Sequence, residues 1–202
     1  MKRTIVLLLL IVPAIMQAQI GIGIKAGLNF ANVNISDLSS TNTSNRSGYM
    51  IGAYISPKPK KVFGFRSEIM LSRQGYDYKK NNNTGTVDLD YLLLPSLFTI
   101  NITRKFEIHA GPQIAFLLNA KVDSSNNNNS SGSLFDYFKR FDYGLAGGVQ
   151  VAPFKGLFIG ARMNIGLKDI NEEQPIGSPY PNFFPAGFIK NNVVQLYAGW
   201  RF

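Results

Sequence analysis

Alternation of apolar residues with polar or small ones is the dominant pattern along this chain. The clearest example is residues 194–202, where one face carries Leu196, Ala198, Trp200 and Phe202. A period of two residues is that of a β-strand, in which successive side chains point to opposite faces. The pattern therefore predicts an all-β protein built from amphipathic strands.

Eight segments of this kind are predicted as strands. They are Ile20–Ala31, Tyr49–Ser56, Val62–Gly75, Val87–Ile100, Phe106–Asn119, Phe141–Ala152, Leu157–Leu167 and Val193–Phe202. Most have about the length at which a tilted strand crosses a bilayer. In the fourth, Tyr91–Leu94 does not alternate and Pro95 cannot donate to a ladder, so we expect a β-bulge there.

The predicted connections alternate in length. The short ones are residues 57–61, 101–105 and 153–156, and the long ones are residues 32–48, 76–86, 120–140 and 168–192. Short periplasmic turns and long external loops are typical of outer-membrane barrels, whereas a soluble β-sandwich has no reason to keep this order. The sequence predicts a closed eight-stranded antiparallel up-and-down transmembrane β-barrel with both termini periplasmic.

The face that would point into the barrel is polar and rich in glycine. The glycines on this face include Gly21, Gly23, Gly27, Gly52, Gly111, Gly144, Gly148 and Gly199, while Gly147 is an exception. Because side chains crowd at the axis of a narrow barrel, glycine on the concave face relieves that crowding. A β-sandwich would instead have a bulky apolar inner face.

Aromatic residues on the opposite, outward face lie near both ends of the predicted strands. Those near the short turns are Phe63, Phe65, Phe106, Trp200 and Phe202, and those near the long loops are Phe30, Tyr49, Phe116, Phe141 and Tyr143. Two such girdles are typical of the two interfaces of a membrane.

The first residues resemble a targeting segment. Lys2 and Arg3 precede the apolar run Ile5–Val12, which is too short to span a bilayer, and Pro13 ends that run. We expect cleavage after Ala18, so that residues 1–18 are a signal peptide and residues 19–202 form the barrel domain. The expected location is the outer membrane of a Gram-negative bacterium.

Composition narrows the candidate chemistry. The chain has no cysteine, and without Lys2 and Arg3 it has 19 basic against 12 acidic residues, a net charge of about +7. Much of the excess lies in the short turns, at Lys58, Lys60, Lys61, Arg104, Lys105 and Lys155. Cations at this level would meet lipid phosphates, so outer-membrane lipids are the expected partner and nucleic acid is not.

Charged side chains are predicted inside the barrel. They are Lys25, Arg66, Glu68, Glu107, His109, Asp142, Arg162 and Arg201. Glu68 and Arg162 should lie at similar depth on opposite strands, which predicts an ion pair across the lumen. A proton or ion path is one interpretation; the favoured one is a polar network that fills a lumen too narrow for a channel.

No catalytic, cofactor or metal site is predicted. His109 is the only histidine, and no serine nucleophile is evident beside it, so a lipid-modifying barrel enzyme such as a lipid A deacylase is a remote alternative. The acidic pairs Asp88/Asp90 and Glu172/Glu173 are isolated. The glycine spacings do not precede a helix, as a phosphate-binding loop requires.

Several motifs resemble the PorT-type outer-membrane β-barrel family. They are the segments 91–97 (YLLLPSL), 106–113 (FEIHAGPQ), 117–121 (LLNAK) and 68–75 (EIMLSRQG). The resemblance covers essentially the whole chain after the signal segment and implies that Pro95 is a feature of the family. It supplies no catalytic residues. Some members assist protein secretion, and most have no assigned activity.

The leading hypothesis is an integral outer-membrane protein with a structural or surface-interaction role. The alternative is an accessory component of protein export that works through a partner complex, and a lipid-modifying enzyme comes third. The barrel assembly machinery is an expected partner during biogenesis. A secretion complex or an extracellular partner would bind the long loops.

The last strand generates a testable prediction. Leu196, Ala198, Trp200 and Phe202 form an apolar signal that assembly machinery is expected to read, and a strand that fails to pair leaves backbone groups unsatisfied in lipid. Deleting Phe202, or Phe202→Asp, should reduce heat-modifiable protein in the membrane, while Ser130→Ala should not. Normal levels of assembled barrel after the deletion would contradict this reading.

Overall fold

The computed structural model describes residues 20–35, 42–57, 62–80, 83–124, 137–171 and 189–202. This part contains eight strands: β1 (Ile20–Ile35), β2 (Asn42–Pro57), β3 (Phe63–Lys80), β4 (Asn83–Asn101), β5 (Phe106–Ser124), β6 (Phe141–Val151), β7 (Leu157–Gly166) and β8 (Ile189–Arg201). None of its residues lie in a helix long and apolar enough to cross a membrane. The expected signal peptide lies outside the described residues.

The strands form one closed ring. Each strand pairs antiparallel with the next along the chain, and β8 returns to pair with β1. The closing register places Ala26 opposite Ala198 and Leu28 opposite Leu196. The predicted closed eight-stranded antiparallel barrel is confirmed. A closed ring gives every strand two neighbours, which is what a lipid environment demands of a backbone that cannot bond to water.

We call the end with the links β2–β3, β4–β5 and β6–β7 the turn end and the opposite end the loop end. Several strands extend further toward the loop end than predicted. β3 continues to Lys80 and β4 begins at Asn83, so that most of the predicted loop 76–86 is a two-stranded ladder. The polar composition of this segment suggested a loop, but its period of two continues through Tyr76 and Tyr78.

The pairing of β4 with β5 is irregular because Leu118 of β5 is an extra residue, and this irregularity is not at Pro95, where the sequence predicted a bulge. The register between β4 and β5 shifts between Asp90 and Tyr91. Around Pro95 the pairs Ser67↔Ser96 and Met70↔Leu93 keep one offset, and only the residues between them lack partners in the β3–β4 ladder. The predicted position of the bulge is therefore wrong. The proline interrupts pairing locally without changing the register.

The two faces of the sheet differ as the alternation predicts. In β1 the outward Ile22, Ile24 and Leu28 are exposed, whereas the inward Lys25 and Asn29 are buried. The aromatic residues expected at the two interfaces are also exposed, with Phe106 partly so. The surface is apolar and the interior contains charges, the reverse of a soluble protein.

Two neighbouring glycines in β6 show why the inner face contains so many. A methyl group added at the inward Gly148 would lie 2.8 Å from Arg162 Cα and 2.9 Å from His109 Nε2. A methyl group at the outward Gly147 would meet nothing nearer than 3.9 Å. Close approach of the backbone of β7 and of a lumen side chain therefore requires glycine at 148 and not at 147.

This difference predicts the effects of two matched substitutions. Gly148→Ala should lower the free energy of unfolding by about 1–3 kcal/mol, because the methyl group is forced against backbone. Gly147→Ala should leave it unchanged or raise it by up to about 1 kcal/mol, because alanine loses less conformational entropy on folding. Urea titration of the folded barrel in detergent measures both values. Equal effects of the two substitutions would contradict the assignment of faces.

Candidate functional site

The inward charges of the middle and turn end of the barrel gather into one group. We call Lys25, Arg66, Glu68, Glu107, His109 and Arg162 the lumen cluster; all six side chains are buried. Arg66 and Glu68 are two residues apart on β3, and Glu107 and His109 are two apart on β5, so each pair points to the same face. Lys25 and Arg162 reach the same space from β1 and β7.

Glu68 is the centre of the lumen cluster. Arg162 donates to both of its carboxylate oxygens, from Nη1 at 2.7 Å and from Nη2 at 2.8 Å. Lys25 Nζ donates to Oε2 at 2.7 Å. The structure thus contains the Glu68–Arg162 pair that the sequence predicted, and it adds a second cation. A bidentate guanidinium is the strongest partner of a carboxylate that has been taken out of water.

A second ion pair lies beside the first. Arg66 Nη2 donates to both oxygens of Glu107, at 2.6 and 2.7 Å, and Nη1 donates to Gln150 Oε1 at 3.1 Å. Arg66 Nη1 also lies 3.8 Å from Glu68 Oε1, which links the two pairs electrostatically. Charges from β1, β3, β5 and β7 consequently form one network across the lumen.

Two tyrosine rings cover the cations. Lys25 Nζ lies 4.6 Å from the centre of the Tyr197 ring, and the Arg66 guanidinium lies 4.7 Å from the centre of the Tyr54 ring. A ring face attracts a cation, so these contacts offset part of the desolvation of the two charges. Neither tyrosine was among the residues that the sequence predicted for the polar network of the lumen.

His109 is held by charged neighbours. Arg162 Nε donates to His109 Nε2 at 3.3 Å, and the Tyr197 hydroxyl lies 3.5 Å from the same nitrogen. Because Nε2 accepts from Arg162, the proton of a neutral ring is on Nδ1, which faces Glu107 Oε1 at 3.5 Å. None of the contacts that His109 makes with the described residues is with a serine.

Asp142 does not join the lumen cluster, contrary to its inclusion in the predicted network. It lies opposite Ala115 on β5, whereas His109 lies opposite Gly148. Six residues along β6 separate the two levels, which is roughly 20 Å at the rise of a strand. Asp142 is therefore at the loop end, among neutral polar side chains. The alternation along β6 correctly predicted that Asp142 faces inward, but alternation does not give the depth of a residue in the lumen.

The loop end of the lumen is largely apolar, which the sequence interpretation missed. The inward residues of β3, β4 and β5 there are Tyr76, Tyr78, Val87, Leu89, Leu93, Leu117 and Val122. Phe138 and Ile170, which lie outside the strands, are buried against them. The Lys139 amide donates to the Ile170 carbonyl at 2.8 Å and joins the two covering segments. The signal for this cluster was the alternation of apolar and polar residues at 76–78 and 87–91.

The ion pairs of Arg73 and Arg46 on the outward face were also missed. Arg73 donates to both oxygens of Asp90, at 2.6 and 2.9 Å, and its guanidinium lies 5.2 Å from the centre of the Tyr49 ring. Arg46 bonds to Asp88 at 2.6 Å. These charged side chains lie just beyond the outward aromatic residues of the loop end. They therefore mark the level at which the apolar outer surface of the barrel ends.

The four residues of the predicted assembly signal lie in β8 or directly after it, where the ring closes. Leu196, Ala198 and Trp200 point outward and pair with β1 and β7, and the Phe202 amide donates to the Ile22 carbonyl at 2.9 Å. Their role as a signal stays a prediction. Among the described residues, no three or more His, Cys, Asp or Glu side chains group as a metal site would require.

Comparison with known proteins agrees with this architecture. The profile of the family described as "Outer membrane protein beta-barrel domain" matches residues 16–172. No curated protein sequence matches the chain. Among solved structures, Ail of Yersinia pestis in complex with the heparin analogue sucrose octasulfate is similar at 17% identity and a TM-score of 0.51, covering 91% of this chain and 99% of that one.

Neisserial surface protein A is similar at 11% identity and a TM-score of 0.53, with 90% of this chain and 97% of that chain covered. At these identities the likeness concerns the fold. This likeness in fold agrees with the closed antiparallel ring described above.

The lumen cluster predicts a defined pattern of stabilities. Glu68→Gln should cost about 3–5 kcal/mol, because two buried cations lose their carboxylate. Adding Arg162→Met should restore part of that loss, because it removes one of the two cations that Glu68→Gln leaves without a carboxylate. Asp90→Asn, in the partly exposed pair with Arg73, should cost about 1 kcal/mol or less. Urea midpoints in detergent give these three values and that of Arg162→Met alone; strictly additive losses for Glu68 and Arg162 would refute the coupling.

Proposed function

Because the chain belongs to the outer membrane protein beta-barrel domain family, we propose that it is an integral outer-membrane protein with a closed lumen that acts through its external surface, without catalysis. The observation that supports the closed lumen best is the buried network centred on Glu68. Lys25, Arg66 and Arg162 reach toward it from three strands, and their side chains are 0–1% exposed. Their side chains occupy the axis that a conducting channel would leave to water.

The apolar loop end adds a second barrier. Phe138 and Ile170 cover the inward side chains of β3–β5, and both are buried. A solute would have to pass this apolar layer and then the ion pairs. Neither barrier resembles the water-filled interior of a large porin.

We propose that the loop end is external and that both termini are periplasmic. The described links at the turn end are short, at residues 102–105 and 152–156, while strands at the loop end extend beyond the aromatic residues. Short periplasmic turns and larger external elements are the usual asymmetry of such barrels. The loop end is then the surface available to an extracellular or cell-surface partner.

An accessory role in protein secretion is the second candidate, favoured by the resemblance of the segments around Tyr91–Leu97 to PorT-type proteins. Such a component would act through a stable partner complex. Affinity purification from native membranes after mild crosslinking should then recover the same envelope proteins in stoichiometric amounts. Recovery of the barrel assembly machinery alone would favour the surface role, because that contact belongs to biogenesis.

A lipid-modifying enzyme receives little support from the surroundings of His109. A histidine base needs a nucleophile within hydrogen-bond reach, and the described partners of His109 are Arg162, Tyr197 and Glu107. The Arg162 N–H occupies the nitrogen that would accept a proton. We propose a structural role for this histidine.

Single-channel recording tests the closed lumen. Purified protein in planar bilayers should show no stable open level. The double substitution Arg66→Ala/Glu107→Ala should introduce brief openings, because it removes both members of one ion pair from the axis without changing the net charge of the lumen. Asp90→Asn, on the outward face, serves as the control and should behave like the wild type. Large stable currents from the wild-type protein would overturn the proposal.

A further inference from the structure

A small polar cavity at the loop end is separate from the lumen cluster and plays no part in the proposed function. It has a volume of about 20 Å³. Its polar lining consists of Gln74, Tyr91, Gln113, Asp142, Asn164 and Asn191. A cavity of this volume holds an occupant of about the size of one water molecule.

Four of the six polar side chains that line the cavity carry groups without a hydrogen-bond partner. These groups are Tyr91 Oη, Gln113 Oε1, Asn191 Oδ1 and both ends of the Asn164 amide. Tyr91, Asn164 and Asn191 are only 1%, 3% and 6% exposed, so solvent does not satisfy them. Buried polar groups in folded proteins are nearly always paired, and a concentration of unpaired oxygen atoms points to a bound species.

The charge of Asp142 indicates what kind of species fits. Its carboxylate is buried and accepts a hydrogen bond from the Tyr143 amide at 2.7 Å. No Lys, Arg or His nitrogen among the described residues lies within ion-pair distance of it.

Lys168, a cation near this end of β6, makes its close contacts with Phe141 and not with Asp142. Its ammonium donates to the Phe141 carbonyl at 3.0 Å and lies 5.2 Å from the centre of the Phe141 ring. A buried carboxylate without a counter-charge is costly, and a water molecule in the cavity would not compensate that charge.

We propose that this cavity binds one monovalent metal cation, Na⁺ by its size, through the Asp142 carboxylate and the neutral oxygens of Gln113, Asn164, Asn191 and Tyr91. Hard cations prefer carboxylate, carbonyl and hydroxyl oxygens. One carboxylate matches one positive charge, whereas a divalent ion would keep an uncompensated charge in the lumen. Only one of the five oxygen donors of this site belongs to a carboxylate, and the other four belong to amides or a phenol. The site therefore lacks the group of several His, Cys, Asp or Glu side chains that is typical of metal sites.

Bound at this place, the cation would hold adjacent strands together. Tyr91 belongs to β4, Gln113 to β5, Asp142 to β6, Asn164 to β7 and Asn191 to β8. These five strands are consecutive in the ring, and they pair over less of their length near β6 and β7, which are the shortest strands. The site would therefore stabilise the loop end specifically in the folded barrel.

Heat unfolding of the purified protein in mild detergent tests the proposal. NaCl replaces N-methylglucamine chloride at constant ionic strength, so that only the identity of the cation changes. A cation that binds only the folded state should raise the unfolding midpoint by about 3–5 °C for each tenfold increase in free Na⁺ above the dissociation constant. Asp142→Asn should abolish this dependence and keep the fold.

Asp90→Asn is the matched control, because it removes a carboxylate near the same end that faces outward and pairs with Arg73. It should retain the full response to Na⁺. Asn164→Leu is a second variant that should lose the response if Asp142→Asn fails to fold. Equal wild-type midpoints in the two salts, the result expected of a water molecule, would overturn the proposal. So would a response that persists in Asp142→Asn.

Discussion

The requirement that every backbone amide and carbonyl find a partner within the sheet governs this structure. In a hydrocarbon environment no water is available for an open edge, so the last strand must return to the first. The pairing of β8 with β1, from Gly23↔Arg201 to Ile35↔Ile189, meets this requirement. Closing only eight strands makes the ring narrow, and the narrow ring in turn determines what the interior contains.

A narrow interior lined by alternate residues has to be filled, and here charged side chains fill it. Glu68 accepts from Arg162 and Lys25, and Glu107 accepts from Arg66. Such pairs do not by themselves add much stability, because desolvation offsets their attraction. An alignment of the β-strands that left one of these charges without its partner would be costly. The ion pairs therefore favour one alignment of the β-strands around the lumen.

In this narrow ring, glycine occupies positions where the strand backbones approach each other closely. The chemistry of the interior also changes with depth along the barrel axis. The ion pairs lie in the middle and toward the turn end, and an apolar layer including Tyr76 and Leu89 lies at the loop end. Asp142 and its neutral neighbours lie at the level of Ala115. A narrow lumen can thus carry separate layers with different chemistry, of which the polar cavity is one.

The sequence predicted what depends on a period of two: the number of strands, their faces, the closed ring and the facing of Glu68 and Arg162. It did not predict features that depend on register. Two examples are the contact of Lys25 with Glu68 and the extra residue Leu118 of β5 opposite Asp90 and Tyr91. The stagger of the eight strands sets the depth of each residue, and the sequence of a single strand does not contain that information. The extension of β3 and β4 was missed since polar residues obscured the alternation through Tyr76 and Val87.

Crosslinking at the seam tests the closed ring most directly, because the chain has no cysteine of its own. Ala26 and Ala198 face each other between β1 and β8 and both point outward, so cysteines at these positions are placed to form a disulfide. Oxidation of Ala26→Cys/Ala198→Cys in membranes should give a crosslinked band of altered mobility, and Ala26→Cys/Ala161→Cys should not. Crosslinking of the second pair in place of the first would contradict the register on which the lumen depends.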